Sequence, residues 1–226
     1  MLKSGIDQDK IIEMFANASA GGTDQVRKGV QQATLAALQG RELSLKNIRS
    51  VLKTVAQAAS TGAAQNKLPG VDVEALLDQA VAGMDEALLK AVEANRVALQ
   101  QLVNQGADLR EKHLKKALAD LDAMEDSFIG AIRKAAEAAG AQAGEAWAPV
   151  LEKLQAGGTL SGAKAATTAE QFVQQMHGAM RDSRAAGLKA AQTLAESYAA
   201  LVSGVLIGMS DALTQGGAAK PKAAKK

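Results

Sequence analysis

The chain has 226 residues, 26 Lys+Arg against 24 Asp+Glu and a formal charge of +2. Apolar residues make up 47% but aromatics only 2%, and there is no Cys. This composition excludes disulfides, zinc ribbons and thiol catalysis, and such a shortage of aromatic and β-branched side chains argues against a sandwich or barrel. The fold class it points to is all-α: an elongated helical bundle with long amphipathic, coiled-coil-like helices and a disordered basic tail.

Three short helices come first. Ile11, Ile12 and Phe15 give the first an apolar edge, and Gly21-Gly22 stops it. Thr23 is a candidate cap for the second, where Val26, Val30, Ala33 and Ala37 follow at helical spacing and Gly40 ends it. Ser44 is positioned to cap the third, which carries Ile48, Val51, Leu52 and Val55. Ser60 to Gly70 reads as a loop, with Gly62 and Pro69 as breakers.

From Asp72 the pattern lengthens. Leu77, Val81, Met84, Leu88, Val92, Leu99 and Leu102 recur at three- and four-residue steps. Gly106 interrupts, and Asp108 with Glu111 can restart the helix. Leu114, Leu118, Leu121, Phe128 and Ile132 continue the stripe in an imperfect heptad that Glu125 breaks. This predicts two long helices, or one kinked helix of about 65 residues, with coiled-coil character. Pro149 is placed to open a short helix through Leu154. Gly157 to Ala166 reads as a flexible loop. Thr168 with Gln171 forms a capping box that starts a final helix reaching Leu213. Gly216 onward is Ala/Lys/Pro low complexity. The divisions are therefore 1–66, a short-helix segment; 67–215, a long-helix bundle; and 216–226, a basic tail.

Few motifs carry chemistry. Gly157, Gly162 and Lys164 resemble a phosphate loop only loosely, because Ala163 intervenes and no strand precedes. Asp120, Asp122, Glu125 and Asp126 form an acidic patch that lacks the Glu-x-x-His pairs of a di-iron bundle; it reads as a solvated face. No nucleophile arrangement is present, so the expectation is a non-catalytic protein with no cofactor and no metal. Ala200, Gly204, Gly208 and Ala212 lie four apart on one stripe, beside Val205 and Met209. Small residues at that spacing let another backbone approach closely, and this stripe is the candidate self-association face. Lys220, Lys222, Lys225 and Lys226 form the basic tail. Without these four lysines, 22 of the 26 basic residues face all 24 acids, a net of −2.

Met1 to Ala20 contains no apolar stretch of the secretory kind. The longest uncharged apolar stretch, between Glu196 and Asp211, is shorter than the roughly 20 residues that span a bilayer. A cytoplasmic location is expected.

Long Ala/Gln/Glu-rich amphipathic helices without Cys, followed by Ala218-Ala219-Lys220-Pro221-Lys222-Ala223-Ala224-Lys225-Lys226, resemble the phasins, bacterial proteins that coat polyhydroxyalkanoate storage granules. The likeness is one of style over roughly residues 72–226. Val26 to Ala59, with Leu38-Gln39-Gly40-Arg41-Glu42-Leu43, is similar to proteobacterial helical proteins of unknown function. The phasin resemblance implies a non-catalytic amphiphile that binds a hydrophobic granule, possesses no catalytic residues and self-associates as a homo-oligomer. The alternatives are a helical scaffold docking on partner helices, and a weak, salt-sensitive nucleic-acid contact through the tail lysines. Common to these readings is the expectation that alanine-dominated stripes bury little area alone and seek a second apolar surface.

Overall fold

The computed structural model describes residues 6–19, 21–39, 44–104 and 112–182. Among them are eight helices and no strand: α1 (Gln8–Ala16), α2 (Thr23–Leu38), α3 (Leu45–Gln65), α4 (Val73–Asn104), α5 (Lys112–Asp122), α6 (Met124–Ala138), α7 (Gly140–Gly157) and α8 (Leu160–Asp182). The fold is an all-α bundle, as composition and periodicity predict.

The helix starts follow local chemistry. Asp7 accepts from the Lys10 N–H at 3.1 Å and caps α1. Ser44 Oγ accepts from Asn47 N–H at 3.5 Å and caps α3 as expected. Thr23 does not cap α2: it is already helical, and Gly22 holds the cap position with no side-chain bond. α1 also stops earlier than Gly21-Gly22, at Ala16.

The expected loop from Ser60 to Gly70 is mostly helix. α3 runs to Gln65, and Gly62 sits inside it as a contact point rather than a breaker. A Cβ on Gly62 would lie 2.6 Å from the Phe15 Cβ, so only glycine lets α1 cross this closely. Asn66 then fastens the end of α1, its Nδ2 donating to the Phe15 and Ala18 carbonyls at 2.8 Å each. The turn proper is Pro69-Gly70, where Gly70 takes φ +75°.

The stripe from Leu77 to Leu102 is buried along α4, and Leu114, Leu118, Leu121, Phe128 and Ile132 are buried after it. The rods are nevertheless shorter than expected, because a turn at Ala123 separates α5 from α6. Pro149 does not open a helix but lies inside α7. It has no N–H for the carbonyl one turn earlier. Trp147 is fully buried and its indole N–H donates to Ser60 Oγ at 2.9 Å, while Ser60 Oγ donates to the Ala56 carbonyl at 2.8 Å. One side chain thus locks α7 onto α3.

α2 lies along α4, α1 on α3, α3 on α6, and α8 beside α4 and α5. One continuous core runs from Ile11 to Phe172 and includes all of these helices. Polar pairs decorate the seams. Arg27 and Gln31 of α2 both reach Glu86 of α4, Arg49 of α3 donates to Ser127 of α6 at 3.0 Å, and Lys153 of α7 bridges Asp78 at 2.8 Å and Glu74 at 3.1 Å. The carboxylates of Asp78 and Glu74 raise the Lys153 pKa. Exposed pairs of this kind contribute little each; apolar burial holds the bundle.

The apolar stripes of the described residues pack largely on one another. Among the described residues most large apolar side chains are buried or half-buried against the core, and Leu68, Val97, Leu160 and Val173 are exposed. Glycine and alanine make this possible by bringing backbones together. At Gly83 of α4, a Cβ would lie 2.5 Å from the Arg27 carbonyl and 3.1 Å from both Gln31 N and Val30 Cβ of α2.

A paired substitution tests this packing. Gly83→Ala is expected to lower the unfolding free energy by about 1–3 kcal/mol in urea melts, the usual cost of overpacking. Gly130→Ala, whose added Cβ meets nothing within 4 Å, is expected to raise it by up to about 1 kcal/mol through helix propensity. Equal effects at the two sites would argue against the close approach.

Candidate functional site

The loop expected at Gly157–Ala166 shrinks to two residues, Gly158 and Thr159, and α8 begins at Leu160. The reason is a set of carboxylates from elsewhere in the fold. Asp85 of α4, itself buried, accepts from the Leu160 and Ser161 N–H groups at 2.9 Å each. Glu125 of α6 accepts from the Thr159 N–H at 2.8 Å, and Thr159 Oγ1 accepts from the Gly162 N–H at 2.9 Å. The first-turn donors that a helix leaves unsatisfied are all engaged. Where a phosphate would sit in a true phosphate loop, this protein places its own acids.

The glycines of that pattern have a steric role. Gly158 takes φ +68°, and a Cβ on Gly162 would come within 2.7 Å of the Glu125 Cβ and of Thr159 Oγ1. Glu125, which breaks the heptad in the sequence, is therefore the residue that receives the α8 start. Thr168 does not cap a helix: it lies two turns inside α8, where its hydroxyl donates to the Lys164 carbonyl at 2.8 Å.

The acidic patch does not act as a unit. Asp120 pairs with Lys116 at 2.7 Å, Glu125 turns to α8, and Asp122 faces a groove. Among the described residues no group of three or more His, Cys, Asp or Glu is placed to hold a metal. Another charged set ties α4 to α8. Arg96 donates to Glu93 Oε1 through Nε at 3.0 Å and through its terminal nitrogen at 2.6 Å, and the Lys164 ammonium lies 3.3 Å from Glu93 Oε2. That second contact is an ion pair without hydrogen-bond alignment. The Arg96 hydrogen bond, aided by Lys164 and opposed by partial desolvation, lowers the Glu93 pKa to about 2, and Glu93 in turn raises that of Arg96.

The open feature beside this junction is a groove of about 690 Å³ between α5 and α8. Lys115, Leu118, Ala119 and Asp122 line it from α5, at positions i, i+3, i+4 and i+7 of one helix face. Ala166, Thr167, Ala169, Glu170 and Val173 line it from α8. Leu118 and Ala169 are buried in its floor, whereas Val173 is exposed. The wall is small and apolar, with Lys115, Asp122 and Glu170 as its charged members. Its lining supplies no nucleophile with a neighbouring base; its shape and chemistry suit the apolar face of a helix. Sequence reading missed it because α8 was expected to start at Thr168, which left Ala166 and Thr167 at the edge of the assumed loop. The signal was the Ala166-Ala169-Glu170-Val173 spacing.

The candidate self-association face (Ala200, Gly204, Gly208, Ala212, Val205, Met209) and the tail lysines (Lys220, Lys222, Lys225, Lys226) lie outside the described residues. Among the described residues no helix is long and apolar enough to cross a membrane.

Two outcomes follow from the junction. Asp85→Ala strands the buried Ser161 amide and the part-buried Leu160 amide, so it is expected to cost about 1–3 kcal/mol of stability and to speed hydrogen exchange at the start of α8; unchanged exchange there would refute the capping role. For Glu93, the folded pKa lies below the ordinary 4.5. Its stabilisation is therefore complete above the unfolded pKa and is lost as the pH falls toward about 2. Thermal melts of Glu93→Gln should lose less between about pH 5 and about pH 2.5 than those of the parent, and an equal loss would show that the pair does not contribute.

No curated protein and no solved structure matches the chain, and no comparison links it to the phasins. Residues 1–215 match the family of unknown function DUF6781, and the chain belongs to that family.

Proposed function

We propose that the protein is a non-catalytic helical interaction protein whose α5–α8 groove seats an apolar helix supplied by the protein itself. The observation that carries this reading is the groove: a small-residue channel with helical spacing on both walls, in a bundle whose other stripes face inward. Tight packing of this kind uses Ala and Gly to bring a third helix close, so the modest area of each side chain is compensated by many short contacts.

A second, phasin-like reading is favoured by the uncharged apolar stretch between Glu196 and Asp211, which offers apolar area to a hydrophobic surface. In that reading the stretch coats a polyhydroxyalkanoate granule and copies of the chain associate on it. Co-sedimentation of the full chain with poly(3-hydroxybutyrate) particles, lost in Val205→Asp, is the expected result. A chain that stays in the supernatant would reject this second reading.

The chain has no Cys, so a single introduced thiol reports on the groove cleanly. Thr167→Cys in the full chain, labelled with the polarity-sensitive dye acrylodan, is expected to give blue-shifted emission because a helix covers the site. Water-like emission at every protein concentration would contradict the groove reading.

A further inference from the structure

α3 carries the bases Lys46, Arg49 and Lys53 and no Asp or Glu. Their i, i+3, i+7 spacing places them on one helix face, and all three are exposed. Arg27, Arg96, Lys153 and Lys164 are paired with acids, but no carboxylate among the described residues pairs with the bases of α3. Arg49 is nevertheless held in place. Its terminal nitrogen donates to Ser127 Oγ of α6 at 3.0 Å. Ser127 is buried, and its own hydroxyl proton is committed to the Ala123 carbonyl at 2.8 Å. A hydroxyl oxygen fixes a guanidinium without neutralising it. Arg49 therefore keeps an uncompensated charge and most of its planar fork of donors, the arrangement that grips oxyanions.

α3 and α6 run side by side in the same direction. Arg49 meets Ser127 at one end, and at the other Gln57, Thr61 and Gln65 share a cleft of about 460 Å³ with Ala135, Ala138 and Ala139. In that register Lys134 of α6, also exposed, stands one turn before Ala138, as Lys53 stands one turn before Gln57. Between Ser127 and Lys134, Gly130 adds no side chain, and a Cβ there would meet nothing within 4 Å. The seam thus has a cationic end, formed by Arg49, Lys53 and Lys134, that leads into an uncharged cleft. Gln57, Thr61 and Gln65 offer it amide and hydroxyl groups at one-turn intervals, and alanines form the facing wall. Thr61 Oγ1 donates to the Gln57 carbonyl at 3.0 Å and keeps a lone pair for a ligand hydroxyl. The α6 acids Asp126 and Glu137 occupy positions turned roughly 80–100° around the helix from Ser127.

We propose that the α3–α6 seam binds a phosphate group carried on a hydroxyl-rich ring, as in a sugar phosphate or the headgroup of an inositol lipid. Arg49, Lys53 and Lys134 hold the phosphate, and Gln57 and Thr61 hydrogen-bond the ring. A multiply charged oxyanion matches three cations better than a single carboxylate does. A cleft lined by amides, hydroxyls and alanine satisfies the hydroxyls of such a ring, which an apolar lining would leave unpaired. The site is separate from the α5–α8 groove and is tested independently of it.

The chain's single Trp reports on the site, because the Trp147 N–H bonds to Ser60, which lines the cleft. Titrating the full chain with glucose 6-phosphate is expected to change Trp147 emission saturably, with glucose alone and inorganic phosphate alone each binding more weakly. Arg49→Gln is expected to weaken binding about tenfold, the loss of one charge-assisted contact. Lys53→Gln leaves the Arg49–Ser127 bond intact and is expected to weaken binding too, which keeps the test valid should Arg49→Gln fail to fold. Lys28→Gln makes the same charge change at an exposed site on α2 and is expected to leave binding unchanged. A parallel arm uses phosphatidylcholine vesicles with and without phosphatidylinositol 4-phosphate. Co-sedimentation that needs the phosphoinositide and Arg49 assigns the site to a lipid headgroup, whereas a response to glucose 6-phosphate without co-sedimentation assigns it to a soluble ligand; both uphold the proposal. No response to either probe, indifference to Arg49→Gln and Lys53→Gln, or an equal loss in Lys28→Gln would overturn it. So would inorganic phosphate binding as tightly as glucose 6-phosphate, which would mark an adventitious ion only.

Discussion

The bundle depends on how closely α2 approaches α4 at Gly83 and α1 approaches α3 at Gly62. At both crossings an added Cβ would collide with the neighbouring backbone or its first side-chain atom. An alanine-rich helix presents little area to a partner, so burial at about 25 cal/mol per Å² contributes less per residue than in a leucine-rich core. Shortening the distance between axes recovers stability through dispersion, because more atoms of each backbone come into contact. Glycine costs roughly 1 kcal/mol of helix propensity, and close packing is what offsets it. Trp147 is the largest of the fully buried side chains among the described residues, with Phe15, Phe128 and Phe172 next, and its N–H is satisfied by Ser60.

The second organising feature is the way α8 is received. Asp85 and Glu125 come from helices far away in sequence, yet between them they satisfy the amides of Thr159, Leu160 and Ser161. The join between α7 and α8 is therefore a tertiary contact rather than a local turn. It fixes the direction of α8 against α4 and α5, and through that direction it shapes the groove. Glu93, Arg96 and Lys164 reinforce the same seam from the outside.

Much of the fold was legible in the sequence wherever the apolar spacing was regular. Val26, Ile48, Leu52, Leu88, Leu118 and Ile132 were read as core, and all are buried. The failures share a cause: Gly62, Pro149 and Gly157–Gly162 were read by local propensity as breaks or loops, and tertiary contacts keep all but Gly158 and Thr159 helical. Nothing local marks Gly62 as a crossing point, because the Phe15 it accommodates is 47 residues away. Asp85 likewise sits within an apolar stripe and gives no local sign that it caps a helix 75 residues later. The groove was hidden for the same reason, since one of its walls belonged to a helix whose start was misplaced.

A bundle whose described apolar stripes largely face inward is a different object from a set of open amphipathic rods. Among the described residues its apolar stripes are largely committed to its own core, and the α5–α8 groove is one face left open. Hydrogen exchange measured along the full chain by mass spectrometry tests the underlying packing most directly. If the glycine crossings hold the bundle together, peptides from residues 51–63 and 80–92 exchange only through global unfolding. Exchange of residues 80–92 at the rate of an isolated helix, with the rest of the bundle still protected, would contradict it.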